Sequence, residues 1–120
     1  MIKLLPRLSL LLLIIAGGPA ALACDYPARI DIPNGLTADR DTMLNAQAAV
    51  KEFVTSMEAY LECIVLEENS ARAQMDDLAP EDEQQREDLL TKKYNAAVDE
   101  MERIAAEFNT EVQAYRNREQ

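Results

Sequence analysis

The chain of 120 residues has no histidine and no tryptophan, and it has only three glycines and two cysteines. Without histidine it can build neither a histidine-ligated metal site nor a nucleophile that relies on a histidine base. With so few glycines it cannot form a glycine-rich phosphate-binding loop. Acidic side chains outnumber basic ones by 22 to 12, which argues against nucleic-acid binding because that affinity comes mainly from basic groups on phosphates. We therefore expect one small domain that is not an enzyme and holds no metal or cofactor.

The first 23 residues have the pattern of a secretory signal peptide. Lys3 and Arg7 supply a positive start, residues 8–16 are apolar apart from one serine, and Ala21–Ala23 form an A-x-A cleavage site. The apolar run is far shorter than the ~20 residues of a membrane-spanning helix. We expect export to the periplasm or the extracellular space, with a mature chain that begins at Cys24. Two of the 12 basic residues leave with the signal and all 22 acidic residues stay, so the mature net charge is −12.

The alternative is a lipoprotein signal, which would make Cys24 the acylated first residue of a membrane-tethered protein. Such a signal normally has leucine three residues before the cysteine, whereas Ala21 stands there and Leu22 follows one position late. Acylation would also leave Cys63 as a free thiol, which is uncommon in an exported protein. Ordinary cleavage fits better, and membrane contact is expected only if Cys24 is lipidated.

The mature chain is poor in residues that interrupt helices. Residues 36–120 contain no glycine and one proline, Pro80. Compact β folds need turn residues every 8–12 positions, so this composition favours long helices. We predict helix 1 over about 38–76, a turn at about 77–80 and helix 2 over about 80–118.

Apolar residues recur every seven positions in both predicted helices. Such heptads are typical of helices that pack along a shared seam. If the chain folds back near Pro80, the two stripes face each other, and Phe53 then lies level with Ile104. The sequence therefore predicts an all-α fold, an antiparallel two-helix, coiled-coil-like hairpin over residues 37–120. The stripes comprise Met43, Val50, Met57 and Ile64 in helix 1 and Tyr94, Met101, Phe108 and Tyr115 in helix 2.

Residues 24–36 contain two prolines and are predicted to form an extended N-terminal arm. An extended arm spans at most ~43–47 Å, and a helix from Thr37 to Cys63 is about 39 Å long. An arm that runs back along helix 1 would bring Cys24 to Cys63, and an oxidising compartment favours a disulfide between them. Closing that loop contributes roughly 4 kcal/mol in the chain-entropy model. A redox-active pair is the alternative, but such cysteines are usually adjacent, as in C-x-x-C.

The predicted turn carries a cluster of acidic residues that we call the acidic tip. Carboxylates suit a hard cation, but the D-x-D-x-D-G order of a calcium-binding loop is absent and the turn has no glycine. We therefore expect no metal there, and we interpret the tip as a solvated surface that faces a protein partner. Its charge favours partners with basic surfaces. The acidic tip comprises Asp76, Asp77, Glu81, Asp82 and Glu83.

Three short elements resemble those of small exported helical proteins of proteobacteria. They are C-x-x-P at Cys24–Pro27, I-P-[DN]-G at Ile32–Gly35 and Y-L-x-C at Tyr60–Cys63, and they occur in the same order. They cover about the first half of the mature chain. The resemblance implies an arm stapled to a helix, and it transfers no activity and no catalytic residue.

These observations favour a non-enzymatic exported acidic helical protein with a structural or protein-interaction role. Two helices leave apolar surface unshielded, so the heptad stripes also favour a homo-oligomer. An alternative is a periplasmic chaperone-like or stress-related module that shelters client proteins, and its only support is the analogy of long helical arms.

Overall fold

The structure is a computed structural model that describes residues 23–118 and residue 120. The described part is all-helical: α1 spans Arg40–Arg72, α2 spans Pro80–Arg118, and no strand occurs in it. Apart from Ala23, the predicted signal peptide lies outside the described residues. Within that part, neither helix combines the length and the apolar character that a membrane crossing requires.

α1 begins just after a turn that ends in a helix cap. The backbone carbonyl of Asn34 accepts hydrogen bonds from the N–H groups of Thr37 and Ala38. The Asp39 carboxylate then accepts a 2.8 Å hydrogen bond from the N–H of Thr42, one of the donors that a helix start leaves without a backbone partner. This hydrogen bond lowers the pKa of the Asp39 carboxyl because it favours the charged form.

α1 ends earlier than the sequence indicated. Its last residue is Arg72, whereas we predicted a boundary near residue 76. Asp77 lies at φ 51°, in the left-handed region that a right-handed helix does not contain. The connection therefore takes residues 73–79, a length typical of linked antiparallel helices. α2 begins at Pro80 as predicted, because a missing N–H costs nothing in the first turn.

The core is formed by apolar side chains from both helices. Met57 and Ile104 are the large side chains that are completely enclosed. Phe53 and Ile104, predicted to lie level with each other, both belong to this core. The heptad stripe predicted for α1 is buried along its length. Of the stripe predicted for α2 only Phe108 is buried and Tyr94 is 40% exposed, because α2 turns the neighbouring Ala97 and Ile104 toward the core. The buried set is Met43, Ala46, Val50, Phe53, Met57, Leu61 and Ile64 from α1 with Ala97, Ile104 and Phe108 from α2.

An ionic cluster joins the end of α1 to the start of α2. Glu68, whose side chain is 16% exposed, accepts hydrogen bonds of 2.9 and 2.8 Å from Arg86 and one of 3.0 Å from Arg72. Burial alone would raise the pKa of the Glu68 carboxyl, but the bonds from Arg86 and Arg72 outweigh it and hold that pKa below its ordinary value. The cluster closes the apolar seam on the side of the acidic tip.

The other end of the helix pair is closed by the arm. Gly35 donates its N–H to Glu111 Oε2 over 2.7 Å. A Cβ at this position would overlap the backbone carbonyl of Glu111, so only glycine lets the arm lie this close to α2. Arg118 donates hydrogen bonds of 2.9 and 2.8 Å to the carbonyls of Leu36 and Ala38. The start of α1 thus lies beside the end of α2.

We predict that Glu68→Gln lowers the free energy of unfolding at pH 7 by about 1–2 kcal/mol, because it removes the charge that two partly buried arginines share. The pKa of Glu68 is lower in the folded state than in the unfolded state, where it is about 4.3. The ionised carboxylate therefore stabilises the fold above about pH 4.3, and this stabilisation is lost as the pH falls through the pKa of the folded state. Urea denaturation at pH 7 and pH 3 measures both effects.

The matched control is Glu87→Gln, at an exposed position on α2. We expect the stability difference between the wild type and Glu68→Gln to shrink at pH 3, and we expect Glu87→Gln to stay within about 0.5 kcal/mol of the wild type. An equal loss for both variants would contradict the role of the cluster.

Candidate functional site

A disulfide joins the arm to α1. Cys24 and Cys63 are bonded, with their Cα atoms 5.7 Å apart, as the sequence predicted. A carboxylate oxygen of Glu67 lies 3.1 Å from Cys24 Sγ. A disulfide sulfur carries no proton, so this contact places a negative charge beside the bond without a hydrogen bond to it. Sequence reasoning missed it, although Glu67 follows Cys63 by four positions and therefore lies on the same helix face.

Two tyrosines pack where the arm passes α1. The rings of Tyr26 and Tyr60 are 5.0 Å apart at 76°, an edge-to-face pair of the favourable kind. Burial raises the pKa of the Tyr26 phenol, Glu100 and Tyr60 raise it further, and Arg103 opposes them. Tyr26 is still 51% exposed, so this ring of the arm touches α1, faces charges of α2 and remains accessible to solvent.

Ion pairs continue the contact of the arm with α2. Arg29 pairs with Glu107 over 3.4 Å. Arg103 pairs with both Glu100 and Glu107 on the same helix. With the disulfide on α1, these contacts show that the arm lies over one side of the helix pair, which we call the arm side.

An open groove of about 630 Å³ runs between the arm and α1. Its walls are mostly apolar, with Ile30 from the arm and Phe53 and Tyr60 from α1, and its polar groups on α1 include Glu52 and Ser56. The lining contains no lysine or arginine and the chain has no histidine, so Ser56 has no basic side chain beside it to activate its hydroxyl. The groove is suited to holding apolar groups.

The opposite side of the helix pair carries exposed apolar side chains. Leu44 is 48%, Leu66 is 58% and Tyr94 is 40% exposed. Leu44 and Val112 line one shallow cavity, and Leu66 and Tyr94 line another, with no arm residue in either lining. We call this side the arm-free face. Sequence reasoning missed that the arm would leave one side of the seam uncovered, because the pattern alone does not say over which side an extended segment lies.

The acidic tip is split between two elements. Asp76 and Asp77 lie in the connection between the helices, and Glu81–Glu83 lie in the first turn of α2, where their charge suits the positive end of the helix. All of them are exposed, and Glu83 pairs with Arg72 over 3.3 Å. In residues 23–118 and 120, no group of three or more histidine, cysteine, aspartate or glutamate side chains is arranged to hold a metal ion.

Comparison with known protein families, with curated proteins and with solved structures finds no match to this chain.

We predict that Glu67→Gln makes the Cys24–Cys63 disulfide easier to reduce. Reduction begins with attack by a thiolate, and the Glu67 carboxylate both repels that anion and disfavours a leaving thiolate on Cys24. Removing one charge at this distance is worth up to about 1 kcal/mol in water, or about fivefold in rate. The measurement is the rate of reduction by glutathione, read by alkylation and mass spectrometry.

Glu62→Gln is the matched control, because Glu62 adjoins Cys63 in sequence but lines the cavity on the arm-free face. With a positively charged thiol such as cysteamine, the reduction rates of Glu67→Gln and the wild type should differ less than they do with glutathione. Equal acceleration by Glu62→Gln would contradict a local effect of Glu67.

Proposed function

We propose that the protein is a non-enzymatic, exported, acidic helical hairpin with a structural or protein-interaction role. In this proposal the two helices form an antiparallel, coiled-coil-like hairpin, and the extended arm of residues 24–36 is held to helix 1 by the disulfide. Contacts at both ends support this architecture: Glu68 with Arg86 at one end, and Gly35 with Glu111 at the other. A hairpin tied in this way has one long side covered by the arm and one long side that the arm leaves open.

The observation that carries the interaction role is the arm-free face. Apolar side chains line both helices there, and Leu44, Leu66 and Tyr94 are 40–58% exposed. Single exposed apolar residues are ordinary on protein surfaces, but here they line two cavities on the same side of the helix pair, which is typical of a binding surface. The acidic tip adds a preference for partners with basic groups.

Export is supported by the sequence of the first 23 residues and by the Cys24–Cys63 disulfide, which is a bond of oxidising compartments. The lipid-anchored alternative would need the Cys24 sulfur for a thioether. That atom cannot also form the disulfide, so the two forms exclude each other chemically.

We predict that protein recovered from the exported fraction after expression of the full chain begins at Cys24 and has an intact mass two hydrogens below the reduced value. Alkylation should add nothing until a reductant is present, because both sulfurs are in the disulfide. A mass raised by acyl chains, with Cys63 open to alkylation, would show that the protein is lipid-anchored at Cys24 and has no disulfide.

We also predict that a photoreactive phenylalanine in place of Leu66 gives a discrete cross-linked species in the exported fraction, while the same group in place of Leu89 does not. The two positions are matched, at 58% and 53% exposure, but Leu89 shares a cavity with Glu67 on the arm side. The readout is the mass of each adduct after irradiation of cells.

A ladder of many different adducts from position 66 would instead indicate the chaperone-like module that shelters various clients. Equal and weak cross-linking from both positions would contradict an interaction role for the arm-free face.

A further inference from the structure

The arm-free face is bordered by one regular stripe on each helix. On α1 the stripe is Leu44, Lys51, Glu58 and Val65, and on α2 it is Thr91, Val98, Ala105 and Val112, with seven residues between successive members. Such spacing keeps the members on one side of a helix. Cavities on this face are lined by Leu44 and Val112 and by Glu58 and Val65, which places the stripes there.

The α1 stripe is complementary to its own reverse. When two copies of it run antiparallel about a two-fold axis between Lys51 and Glu58, each Lys51 faces Glu58 of the other copy. The same axis brings each Leu44 against Val65 of the other copy. Two-fold interfaces require such self-complementarity, because one patch must serve both partners. The order apolar, basic, acidic, apolar meets that requirement in charge and in hydrophobicity.

The α2 stripe supports the same axis independently. It carries no charge, on a helix rich in acidic and basic residues, and its midpoint lies between Val98 and Ala105. The Glu68–Arg86 ion pair sets the level of one helix against the other. Fourteen residues further toward the middle, Val54 lies level with Glu100. The midpoints of the two stripes therefore differ in height by about two residues, roughly 3 Å, which is less than one helical turn. One axis therefore serves both helices.

We propose that the partner of the arm-free face is a second copy of this chain, packed face to face and antiparallel to form a four-helix bundle with the arms on its two outer sides. This inference rests on the proposed interaction role and names the partner. The stripe from Leu44 to Val65 is about 32 Å long and a helix pair is about 20 Å wide. The flat area of roughly 640 Å² per copy approaches the ~800 Å² of a standard stable interface.

The net charge of −12 on the mature chain opposes association at low ionic strength, so dimerisation should strengthen as salt rises toward about 0.5 M. We would measure the dissociation constant by sedimentation equilibrium on exported protein made from the full chain. The variants are Lys51→Glu, Glu58→Lys and the double exchange, with Lys93→Glu as the control. Lys93 is exposed and lines a cavity on the arm side, so the control carries the same charge change as Lys51→Glu.

Each single exchange should weaken the dimer roughly tenfold, because a two-fold axis repeats the like-charge contact. The double exchange, which keeps the net charge of the wild type, should restore the affinity, and Lys93→Glu should change it by less than about threefold. Circular dichroism of every variant establishes that the helices are intact.

A protein that stays monomeric at hundreds of micromolar in high salt would overturn the inference. A dimer whose dissociation constant is unchanged by both single exchanges would also overturn it. In either case an adduct from position 66 to a different protein would leave the proposed interaction role standing. An adduct of twice the chain mass, with the pattern of weakening and restoration above, supports the second copy.

Discussion

A pair of helices can bury only the stripe of side chains that each turns toward the other, and this constraint shapes the whole molecule. The enclosed residues, with Met57 and Ile104 at the centre, are a small core for helices of 33 and 39 residues. Long helices gain most of their stability from packing and little from intrinsic propensity. The Glu68–Arg86 pair and the Gly35–Glu111 contact close the two ends of the seam, and the arm covers one of its sides.

The arm covers one side and does so with few apolar residues. It is fixed by the disulfide near its start and by Gly35 against Glu111 near its end, with Tyr26 and Arg29 making contacts between these points. Both fixed points limit the freedom of an extended segment without a large buried area, which suits a chain that has few apolar side chains to spare. The segment thus runs from a fixed point on α1 to one on α2, and the open groove lies between it and α1.

The sequence made the regular features of this fold predictable. Heptads identify buried faces because the period of a helix is fixed, and Pro80 marks the start of α2 because proline is tolerated in a first turn. The disulfide followed from the reach of the arm. The end of α1 did not follow, because residues 73–79 contain neither glycine nor proline and the left-handed backbone of Asp77 leaves no trace in the pattern.

The polar contacts across the seam also could not be predicted from the sequence. Whether Arg86 meets Glu68 on the other helix or an acidic neighbour on its own depends on the register of the helices to within about one residue, which apolar periodicity does not set. The same holds for Glu67 beside Cys24 and for Tyr26 on Tyr60. These contacts determine which charged and aromatic groups lie beside the disulfide and the arm, so the fold was more predictable than the candidate site.

The proposed dimer brings two acidic chains together, and the geometry of the helices keeps their acidic tips apart. The acidic tip lies beyond Arg72, about 26 Å along α1 from the midpoint between Lys51 and Glu58. In an antiparallel pair the two tips therefore lie at opposite ends, more than about 50 Å apart, several times the Debye length of ~8 Å at physiological salt. A parallel face-to-face pair would place both tips side by side. Its two-fold axis would run along the helices and set the α1 stripe against the uncharged α2 stripe of the other copy, so Lys51 and Glu58 would not face each other. In the proposed dimer the distribution of charge along the helices therefore favours the antiparallel over the parallel arrangement, both at the tip and along the stripe.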